Sequence, residues 1–351
     1  MPPSPDPFDG IGRRAVLITG DRFDDAKTAH GLLRHSPRFE VVAVVDDAHA
    51  GRPTSTQIPD APARPVVDRV AAVEGPVDVA IIGIATYGGG LPDLVRGQVL
   101  DAIERGWAVV SGLHEPVASD PRLAEAAARH GTRVVELRAP RPFADQHFWT
   151  GAALEVTTPR LAVLGTDCDI GKRTTMQLLI AELERRRFRV ETVATGQTGL
   201  LQGARQGFVL DATPLDFISG ALELAILAAA EREPDLIVIQ GQGSFRGPTG
   251  QVGPQLLVHT GVRHVVLQHA PHRAFYKGRG EVPIADVQGD LDLVAQYGAE
   301  VIGLALGGGR DETTATQRAL AVASAAGIAA CWPLHDGVGL LADAVCDQVL
   351  S

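Results

Sequence analysis

A glycine-rich loop carries the residues of this sequence that are best suited to chemistry. The apolar run Leu161–Leu164 predicts a buried strand, the loop follows from Gly165 to Gly171, and a helical pattern begins at Lys172. A strand, a glycine loop and a lysine at the start of a helix are typical of a phosphate-binding loop, whose backbone N–H groups and lysine face an anion. The predicted anion-binding residues are Gly165, Thr166, Asp167, Cys168, Gly171, Lys172, Arg173, Thr174 and Thr175.

The loop departs from the common phosphate-loop pattern in two ways. Five residues separate Gly165 from the Gly171-Lys172 pair, where the common pattern has four. The residue after Lys172 is Arg173, whereas the common pattern has a serine or threonine that binds magnesium. The sequence therefore predicts an anion site and leaves open whether a nucleoside triphosphate occupies it.

Several other strands of the second half also end in polar or glycine-rich loops. Because parallel strands end at the same edge of a sheet, we expect these loops to lie beside the phosphate loop and to contribute to one ligand site. From the loop after residues 235–240 we predict that Gln240, Gly241, Gln242, Gly243 and Ser244 contact the cofactor. Further predicted site residues are Gln197, Thr198, Asp211, Arg246 and Arg273.

Two loops of the first half are candidates for substrate binding and acid–base chemistry. Gly88, Gly89 and Gly90 follow a predicted strand at residues 77–84, and glycines let a backbone approach a ligand closely. His114 and Glu115 follow a strand at residues 107–112, and both side chains can transfer protons. We therefore predict the three glycines as substrate-binding residues, and His114, Glu115 and Asp211 as catalytic ones.

Short apolar strands alternate with helical stretches along the whole chain, which predicts an α/β fold with parallel sheets covered on both faces. We predict a flexible arm at residues 1–12, a Rossmann-like domain at 13–137, a linker at 138–158 and a P-loop-like domain at 159–351. The first turn of the Rossmann-like half lacks the GxGxxG pattern of dinucleotide sites. Val66–Val73 is predicted as a short helix.

The composition excludes several function classes. The 351 residues carry a formal net charge of −10 and are 45% hydrophobic, which argues against a general nucleic-acid surface. No apolar run is long enough to span a bilayer, the N-terminus lacks a signal core, and the three cysteines form no CxxC pair. The spacing of His264, His269 and His272 matches no familiar metal site. We expect a cytoplasmic homo-oligomer that acts on a small molecule, without metal, nucleic acid or membrane.

The motifs together resemble two families. The loop from Gly165 to Lys172 resembles that of dethiobiotin synthetase. The wider set resembles a family that joins a Rossmann-like N-terminal domain to a P-loop-like C-terminal domain and includes D-glutamate N-acetyltransferases. Its signatures here are residues 88–92, 111–115, 165–175, 194–199 and 241–244. Two departures lie at the expected site: Gln240 stands where the family has a glutamate, and residues 245–248 replace its His-Pro pair.

The resemblance implies three alternatives. The first is transfer of an acetyl group from acetyl-CoA to an amino acid such as D-glutamate, with the phosphate loop, Lys172 and Thr174 binding the phosphates of coenzyme A without magnesium. Here Gly88–Gly90 or Gly241–Gly243 would stabilise the oxyanion, and Arg246 or Arg273 would bind a substrate carboxylate. The second is an ATP- and magnesium-dependent kinase or ligase that uses Thr174 or Thr175 with Asp167 or Asp211. The third is a non-catalytic protein that binds a nucleotide or CoA and in which Gln240 marks lost chemistry.

Overall fold

A computed structural model describes residues 6–248, 250–278, 280–310 and 313–351. The strands are β1 Arg14–Gly20, β2 Glu40–Asp46, β3 Val66–Val67, β4 Val79–Ile82, β5 Ala108–Ser111, β6 Val134–Glu136, β7 Arg160–Gly165, β8 Val190–Ala194, β9 Gln206–Gly207, β10 Leu236–Gln240, β11 His264–His269, β12 Glu300–Leu306 and β13 Ala329–Cys331. The α-helices are α1 Lys27–Arg34, α2 Asp93–Glu104, α3 Pro121–His130, α4 Lys172–Arg185, α5 Gln197–Leu201, α6 Ile218–Ala230, α7 Gly253–Thr260, α8 Val287–Gln296, α9 Thr314–Ala325, α10 Pro333–Asp336 and α11 Gly339–Gln348. Within the described residues, no helix is both long and apolar enough to cross a membrane.

The chain divides into two compact units. The first contains the chain up to Pro142 together with two short segments from later in the sequence, Gln197–Gly203 and Asp211–Thr213. The second contains Phe143–Gly196, Ala204–Leu210 and Pro214–Ser351. The sequence did not predict that two segments of the second half belong to the first unit.

A parallel sheet forms the centre of the first unit. Its strand order over the described residues is β3-β2-β1-β4-β5-β6. The runs of valine, isoleucine and leucine in β1, β2 and β4 are almost wholly buried, as expected for strands that helices cover on both faces. This sheet confirms the Rossmann-like α/β fold class.

The N-terminal segment packs against this unit from residue 6 onward. Phe8 is 4% exposed, its ring meets that of Phe39 edge to face at 5.6 Å, and the guanidinium of Arg38 lies 4.6 Å from its centre. Residues 6–12 are therefore held in place, in contrast to the flexible arm that we predicted. Residues 1–5 of that arm lie outside the described residues.

The predicted helix at Val66–Val73 is wrong. Val66 and Val67 form β3 and pair in parallel with Val44 and Val45 of β2, and a 3₁₀ turn covers Val70–Ala72. β-Branched residues favour a pleated strand over a helix, and here the edge of the sheet offers them a pairing partner.

The short helix α5 packs onto α1 within the first unit. The side chain of Leu201 is buried in the core of this unit. The amide of Gln202 donates hydrogen bonds to the carbonyls of Gly31 and His35, both at 2.9 Å. These contacts explain why residues 197–203 cluster with the first unit rather than with the strands that flank them in sequence.

The second unit is built on another parallel sheet, with the order β13-β12-β11-β7-β10-β8-β9 in the described residues. β7 lies at its centre between β11 and β10, and the side chains of β10 are buried throughout. Because all strand pairs are parallel, the loops after β7, β8, β10, β11 and β12 emerge at one edge. This confirms the predicted P-loop-like α/β fold and places the predicted loops of this unit together.

A buried carboxylate on α6 anchors the start of the second unit. Glu223 is fully buried and accepts hydrogen bonds from the His147 ring at 3.0 Å, the Thr150 amide at 2.9 Å and the Thr150 hydroxyl at 2.8 Å. Burial by itself raises the pKa of Glu223, but the hydrogen bonds of Thr150 and His147 outweigh it and hold that pKa below its ordinary value.

We expect Glu223→Gln to lower the free energy of unfolding of the second unit by about 1–3 kcal/mol, because its amide NH₂ group would face donors that need an acceptor. A depressed pKa contributes stability that is lost as the pH falls through the folded-state value. The wild type should therefore lose stability below about pH 4.5, the ordinary value, more steeply than the variant. Thermal unfolding against pH measures both effects. Glu231→Gln, at an exposed site beyond α6, is the control, and equal stability of all three proteins would contradict the prediction.

Candidate functional site

The predicted phosphate loop connects β7 to α4 in the second unit. Gly171 has a φ of 106°, which only glycine adopts readily, and this turn lets α4 begin at Lys172. A side chain at Gly165 would place its Cβ 2.8 Å from Cδ of Lys172. The two glycines thus allow the loop to wrap closely around the start of α4, whose first N–H groups favour an anion.

The ammonium of Lys172 joins two loops of this site. Lys172 is 8% exposed, and its Nζ donates to the carbonyls of Asp167 at 2.5 Å and Gly243 at 2.8 Å. The contact with Gly243 connects the phosphate loop to the loop after β10. The structure therefore brings these two predicted sets of cofactor-binding residues together.

Two basic residues beyond β11 bind to the phosphate loop through hydrogen bonds and ion pairs. Arg273 donates to the carboxylate of Asp167 at 2.8 Å and to the carbonyls of Cys168 at 2.7 Å and Asp169 at 2.8 Å. The ammonium of Lys277 lies 2.6 Å from the carboxylate of Asp169. Arg273 therefore supports the loop in this structure, and its binding to a substrate carboxylate stays a prediction.

Both carboxylate oxygens of Asp167 accept hydrogen bonds. Its Oδ1 accepts the N–H of Cys168 at 2.7 Å, and its Oδ2 accepts both Arg273 at 2.8 Å and the N–H of Lys277 at 3.1 Å. A magnesium ligand needs an oxygen lone pair directed at the ion. These three hydrogen bonds use most of the roughly four lone pairs of the carboxylate, so magnesium binding by Asp167, as in the kinase alternative, would compete with the contacts that hold the loop.

Hydroxyl groups of the loop and helix are bonded to β11. Thr175 donates to Oε1 of Gln268 at 2.5 Å, and the hydroxyl of Thr166 lies 3.0 Å from Nδ1 of His269. Burial lowers the pKa of His269 to about 4, so its ring is neutral near pH 7. Sequence reasoning missed Gln268, although a polar residue in the last two positions of an apolar strand is a usable signal. Thr174 and Arg173 are half-buried in the first turn of α4.

The loop after β10 crosses close to β7. The N–H of Gly241 donates to the carbonyl of Val163 at 3.0 Å, and a Cβ at Gly241 would lie 2.1 Å from that oxygen, so only glycine fits. The hydroxyl of Ser244 accepts the N–H of Gly247 at 2.9 Å. Gln240, which ends β10, is 7% exposed. Ser244 therefore stabilises the turn of this loop. Gln240 lies at the edge of the sheet where we predicted the ligand site.

Arg246 is held by an acidic residue of α8. Its guanidinium makes two hydrogen bonds to the carboxylate of Asp290, at 2.9 and 2.8 Å, and one to the carbonyl of Asp286 at 2.6 Å. A bidentate pair of this kind fixes an arginine in place. Arg246 therefore ties the loop after β10 to α8, and its binding to a substrate carboxylate stays a prediction.

In the first unit, the glycine loop after β4 packs against the loop after β5. Gly88 and Gly89 have φ values of 76° and 74°, and a Cβ at Gly89 would lie 2.4 Å from Cβ of His114. The carbonyl of Gly89 accepts the N–H of Glu115 at 2.9 Å, and that of Gly90 accepts the Thr86 hydroxyl at 2.7 Å. These glycines thus position His114 and Glu115.

Glu115 stabilises this pair of loops. One oxygen accepts the N–H of Leu91 at 2.7 Å and the other accepts Arg96 at 3.0 Å. The hydrogen bond from Leu91, and then that from Arg96, lower the pKa of the Glu115 carboxyl. A carboxylate with a lowered pKa is a weaker base. Glu115 therefore has a structural role in these loops, and its action as a catalytic base stays a prediction that the lowered pKa disfavours.

His114 and Asp211 meet in the first unit although they are far apart in sequence. Nε2 of His114 lies 3.9 Å from Oδ2 of Asp211, and the two side chains are 50% and 37% exposed. The other oxygen of Asp211 lies 2.6 Å from Arg138, which also donates to the carbonyl of Gly112 at 2.6 Å and to Gln197 at 3.2 Å. Arg138 thus orients Asp211, and the accessible histidine–carboxylate pair can accept a proton.

Two further predicted substrate-binding residues have partners within the first unit. The amide oxygen of Gln197 accepts Arg138, so Gln197 supports the His114–Asp211 pair through that arginine. The hydroxyl of Thr198 lies 3.1 Å from that of Thr28 and is buried. Thr198 therefore fixes α5 to α1, and its contact with substrate stays a prediction.

Two family descriptions match the chain. One is a P-loop domain described as a domain of unknown function, DUF1611, and it matches residues 147–342. The other is the Rossmann-like N-terminal domain of the same family, and it matches residues 47–140. The first match alone covers more than half of the chain. The chain belongs to the DUF1611 family.

Two curated relatives of this DUF1611 chain are each named D-glutamate N-acetyltransferase. The one from a Pseudoalteromonas species is 31% identical over 214 residues, which are 61% of this chain and 62% of that protein. The one from Tritonibacter scottomollicae is 28% identical over 278 residues, 76% of this chain and 80% of that protein. The match to the first relative thus spans less than two thirds of its length.

A solved structure shares the fold. The crystal structure of a DUF1611 family protein from Anabaena variabilis has a TM-score of 0.87 to this chain at 28% identity, and the match covers 96% of this chain and 100% of that one. The family's Rossmann-like and P-loop domains therefore correspond to the two sheets described above.

Proposed function

We propose that this protein is an N-acyltransferase that moves an acetyl group from acetyl-CoA to the amine of an amino acid such as D-glutamate. The names of the two curated relatives support the reaction class. The contacts of the phosphate loop support coenzyme A as the ligand of the second unit.

One observation carries the choice of coenzyme A over a magnesium-bound nucleotide. The loop offers a buried lysine and a helix N-terminus to phosphates, but the side chains that usually hold magnesium are replaced or engaged. Arg173 follows Lys172, both oxygens of Asp167 accept hydrogen bonds, and Gln240 ends β10 where a carboxylate would be expected. The phosphates of coenzyme A can bind to N–H groups and an ammonium without a metal ion.

The reaction needs a base and an oxyanion site. The amine nitrogen of the acceptor attacks the thioester carbonyl, a C–N bond forms, the C–S bond breaks, and the coenzyme leaves as a thiolate. The amine must lose a proton, and we assign that proton to His114, whose imidazolium Asp211 would stabilise. The glycine loop Gly88–Gly90, which belongs to the same unit as His114, is the candidate for the N–H groups that stabilise the negative oxygen that develops on the carbonyl.

A transfer assay tests this function directly. The full chain is incubated with acetyl-CoA and D-glutamate, free thiol is followed by absorbance, and the product is identified by mass spectrometry. We expect thiol release that depends on the amino acid, together with stoichiometric N-acetylglutamate. L-Glutamate and D-aspartate serve as comparison acceptors. Phosphate release from ATP and magnesium, without any thiol release, would instead support the kinase or ligase alternative.

A further inference from the structure

Two carboxylates of the phosphate loop oppose the kind of ligand that the loop is predicted to bind. Asp167 and Asp169 lie between Gly165 and Gly171, in a segment that we predict to direct its N–H groups at an anion. Their side chains are only 4% and 25% exposed, so water screens their charges incompletely. Because like charges a few ångströms apart repel each other, these side chains weaken the attraction that Lys172 exerts on a phosphate.

A narrow hairpin after β11 brings two positive charges to these carboxylates. This β11 hairpin comprises the described residues of 271–285, and the N–H of Tyr276 donates to the carbonyl of Val282 at 3.0 Å across it. Its first arm carries Arg273 and Lys277. The hairpin is therefore the element that positions both basic side chains.

Each carboxylate is paired with one basic side chain of the β11 hairpin. The guanidinium of Arg273 donates to the carboxylate of Asp167 at 2.8 Å. The ammonium of Lys277 donates to the carboxylate of Asp169 at 2.6 Å, and its backbone N–H reaches Asp167 at 3.1 Å. The hairpin thus neutralises both negative charges that the loop places near its ligand site.

Asp167 connects its own pair to the lysine of the phosphate loop. Its backbone carbonyl accepts Nζ of Lys172 at 2.5 Å, while its carboxylate accepts Arg273. Without Arg273, a nearly buried carboxylate would remain beside the ammonium that we expect to bind phosphate. The charge of Lys172 would then be balanced by the loop itself instead of by the ligand.

The pair of Lys277 and Asp169 is too accessible to contribute much to folding. Its side chains are 42% and 25% exposed, and ion pairs in contact with water add little to stability. The backbone of Asp169 has a φ of 50°, a left-handed conformation that costs aspartate more than glycine. Stability therefore does not explain this pair, whereas neutralisation of a charge beside an anion site does.

We propose that Arg273 and Lys277 are positioning residues, which neutralise Asp167 and Asp169 and thereby allow the phosphate loop to bind a phosphate or diphosphate group. Both act through the loop and do not contact the ligand. The identity of the ligand as acetyl-CoA rests on the proposed function, but the need for charge neutralisation applies to any phosphate-bearing ligand of this loop.

A double substitution distinguishes neutralisation from direct contact with the ligand. We expect Lys277→Gln to weaken the binding of acetyl-CoA and of inorganic pyrophosphate about 3- to 30-fold. Asp169→Asn removes the carboxylate, and asparagine also tolerates a positive φ. The variant with both substitutions has the net charge of the wild type and should regain an affinity within about twofold of it. An affinity of the double variant as low as that of Lys277→Gln would overturn the proposal.

The more buried pair should give the larger effect. Arg273→Gln is expected to weaken both ligands more than Lys277→Gln does, because Asp167 is almost fully covered. Adding Asp167→Asn should restore part of the affinity, since the repelling charge is gone while two backbone carbonyls still lack their donor. No recovery in this double variant would assign Arg273 to direct contact with the ligand and would overturn the proposal for that residue.

Salt dependence and Tm separate the electrostatic role from a structural one. Calorimetry at about 50 and about 500 mM salt should show that the loss in Lys277→Gln shrinks at the higher concentration, and Tm should stay within about 2 °C of the wild type. Arg185→Gln is the matched control, because it removes one charge from a 72% exposed side chain roughly 20 Å along α4 from Lys172. A loss of affinity that is independent of salt and accompanied by a lower Tm would overturn the proposal.

Inorganic pyrophosphate separates this proposal from the proposed function. If the wild type binds pyrophosphate but not acetyl-CoA, the acetyl-CoA assignment fails, and the pyrophosphate affinities of the variants still decide the role of the hairpin. Pyrophosphate binding that is unchanged in every variant would overturn the role of the hairpin, even if acetyl transfer is observed. Absence of binding of both ligands to the wild type would overturn both proposals.

Discussion

Replacing Lys172 with alanine is expected to weaken the binding of acetyl-CoA about 10- to 100-fold. The ammonium is almost fully buried at the start of α4 and joins the carbonyls of Asp167 and Gly243. A charge-assisted hydrogen bond to a phosphate contributes about 1.5–3 kcal/mol, and every 1.4 kcal/mol is tenfold in affinity. Calorimetry with acetyl-CoA and with coenzyme A measures the effect, and both ligands should lose affinity equally because the acetyl group is far from the phosphates.

Two control variants separate binding from folding. Lys27→Ala removes a lysine from α1 of the first unit and should leave affinity unchanged. Lys172→Arg keeps the charge but changes its shape, and should recover part of the affinity. Because the two carbonyls lose a donor in Lys172→Ala, its Tm should be recorded beside the binding curve. Full affinity for acetyl-CoA in a folded Lys172→Ala protein would contradict the proposal that the phosphate loop binds acetyl-CoA.

Replacing His114 with glutamine is expected to lower kcat for acetyl transfer about 10²- to 10⁴-fold, the usual contribution of a general base. The structure places the His114 ring 3.9 Å from the Asp211 carboxylate and leaves both accessible. Asp211→Asn keeps the shape and removes the charge that would stabilise the imidazolium, so it should lower kcat by a smaller factor. Acetyl-CoA affinity should stay unchanged in both variants, because they belong to the first unit.

The control for this series is His130→Gln, on the exposed end of α3, which should retain wild-type kcat. Glu115→Gln gives a second comparison. Its carboxylate holds Leu91 and Arg96, so we expect a lower Tm with a modest loss of kcat. A larger fall in kcat for Glu115→Gln than for His114→Gln at equal Tm would assign the base to Glu115 and would contradict the role proposed for His114.

The strands and the phosphate loop could be predicted because their signals are local. Leu161–Leu164 is a short apolar run, and the glycines and Lys172 follow it within one loop. Their contacts with one another lie within a few residues or along one sheet edge. The signal for Gly241 is also local, because a glycine directly after a buried strand suggests that its backbone lies close to a neighbouring group.

The partners of the polar side chains could not be predicted in the same way. We predicted that Arg246 binds a ligand. In the structure its guanidinium is hydrogen-bonded to Asp290, which lies on a helix more than forty positions later in the sequence. Thr198 was expected to face a substrate, but its segment joins the first unit and meets Thr28. Such pairs depend on which elements come together in three dimensions, and one sequence does not contain that information.

The same reason made the His114–Asp211 pair only partly predictable. Both residues were singled out as catalytic, each from its own loop. Their meeting depends on residues 211–213 joining the first unit, and on Arg138, which no sequence signal marked. Arg138, which orients Asp211, was therefore missed, although His114 and Asp211 were both predicted as site residues.

Calorimetric titration of the full chain with acetyl-CoA, ATP, and ATP with magnesium tests the central claim most directly. The loop presents Lys172 and a helix start to phosphates, while Arg173, the engaged Asp167 and Gln240 replace the usual magnesium ligands. We therefore predict that acetyl-CoA binds without magnesium and that adding magnesium does not tighten the binding of ATP. Magnesium-dependent binding of ATP together with no binding of acetyl-CoA would contradict the account.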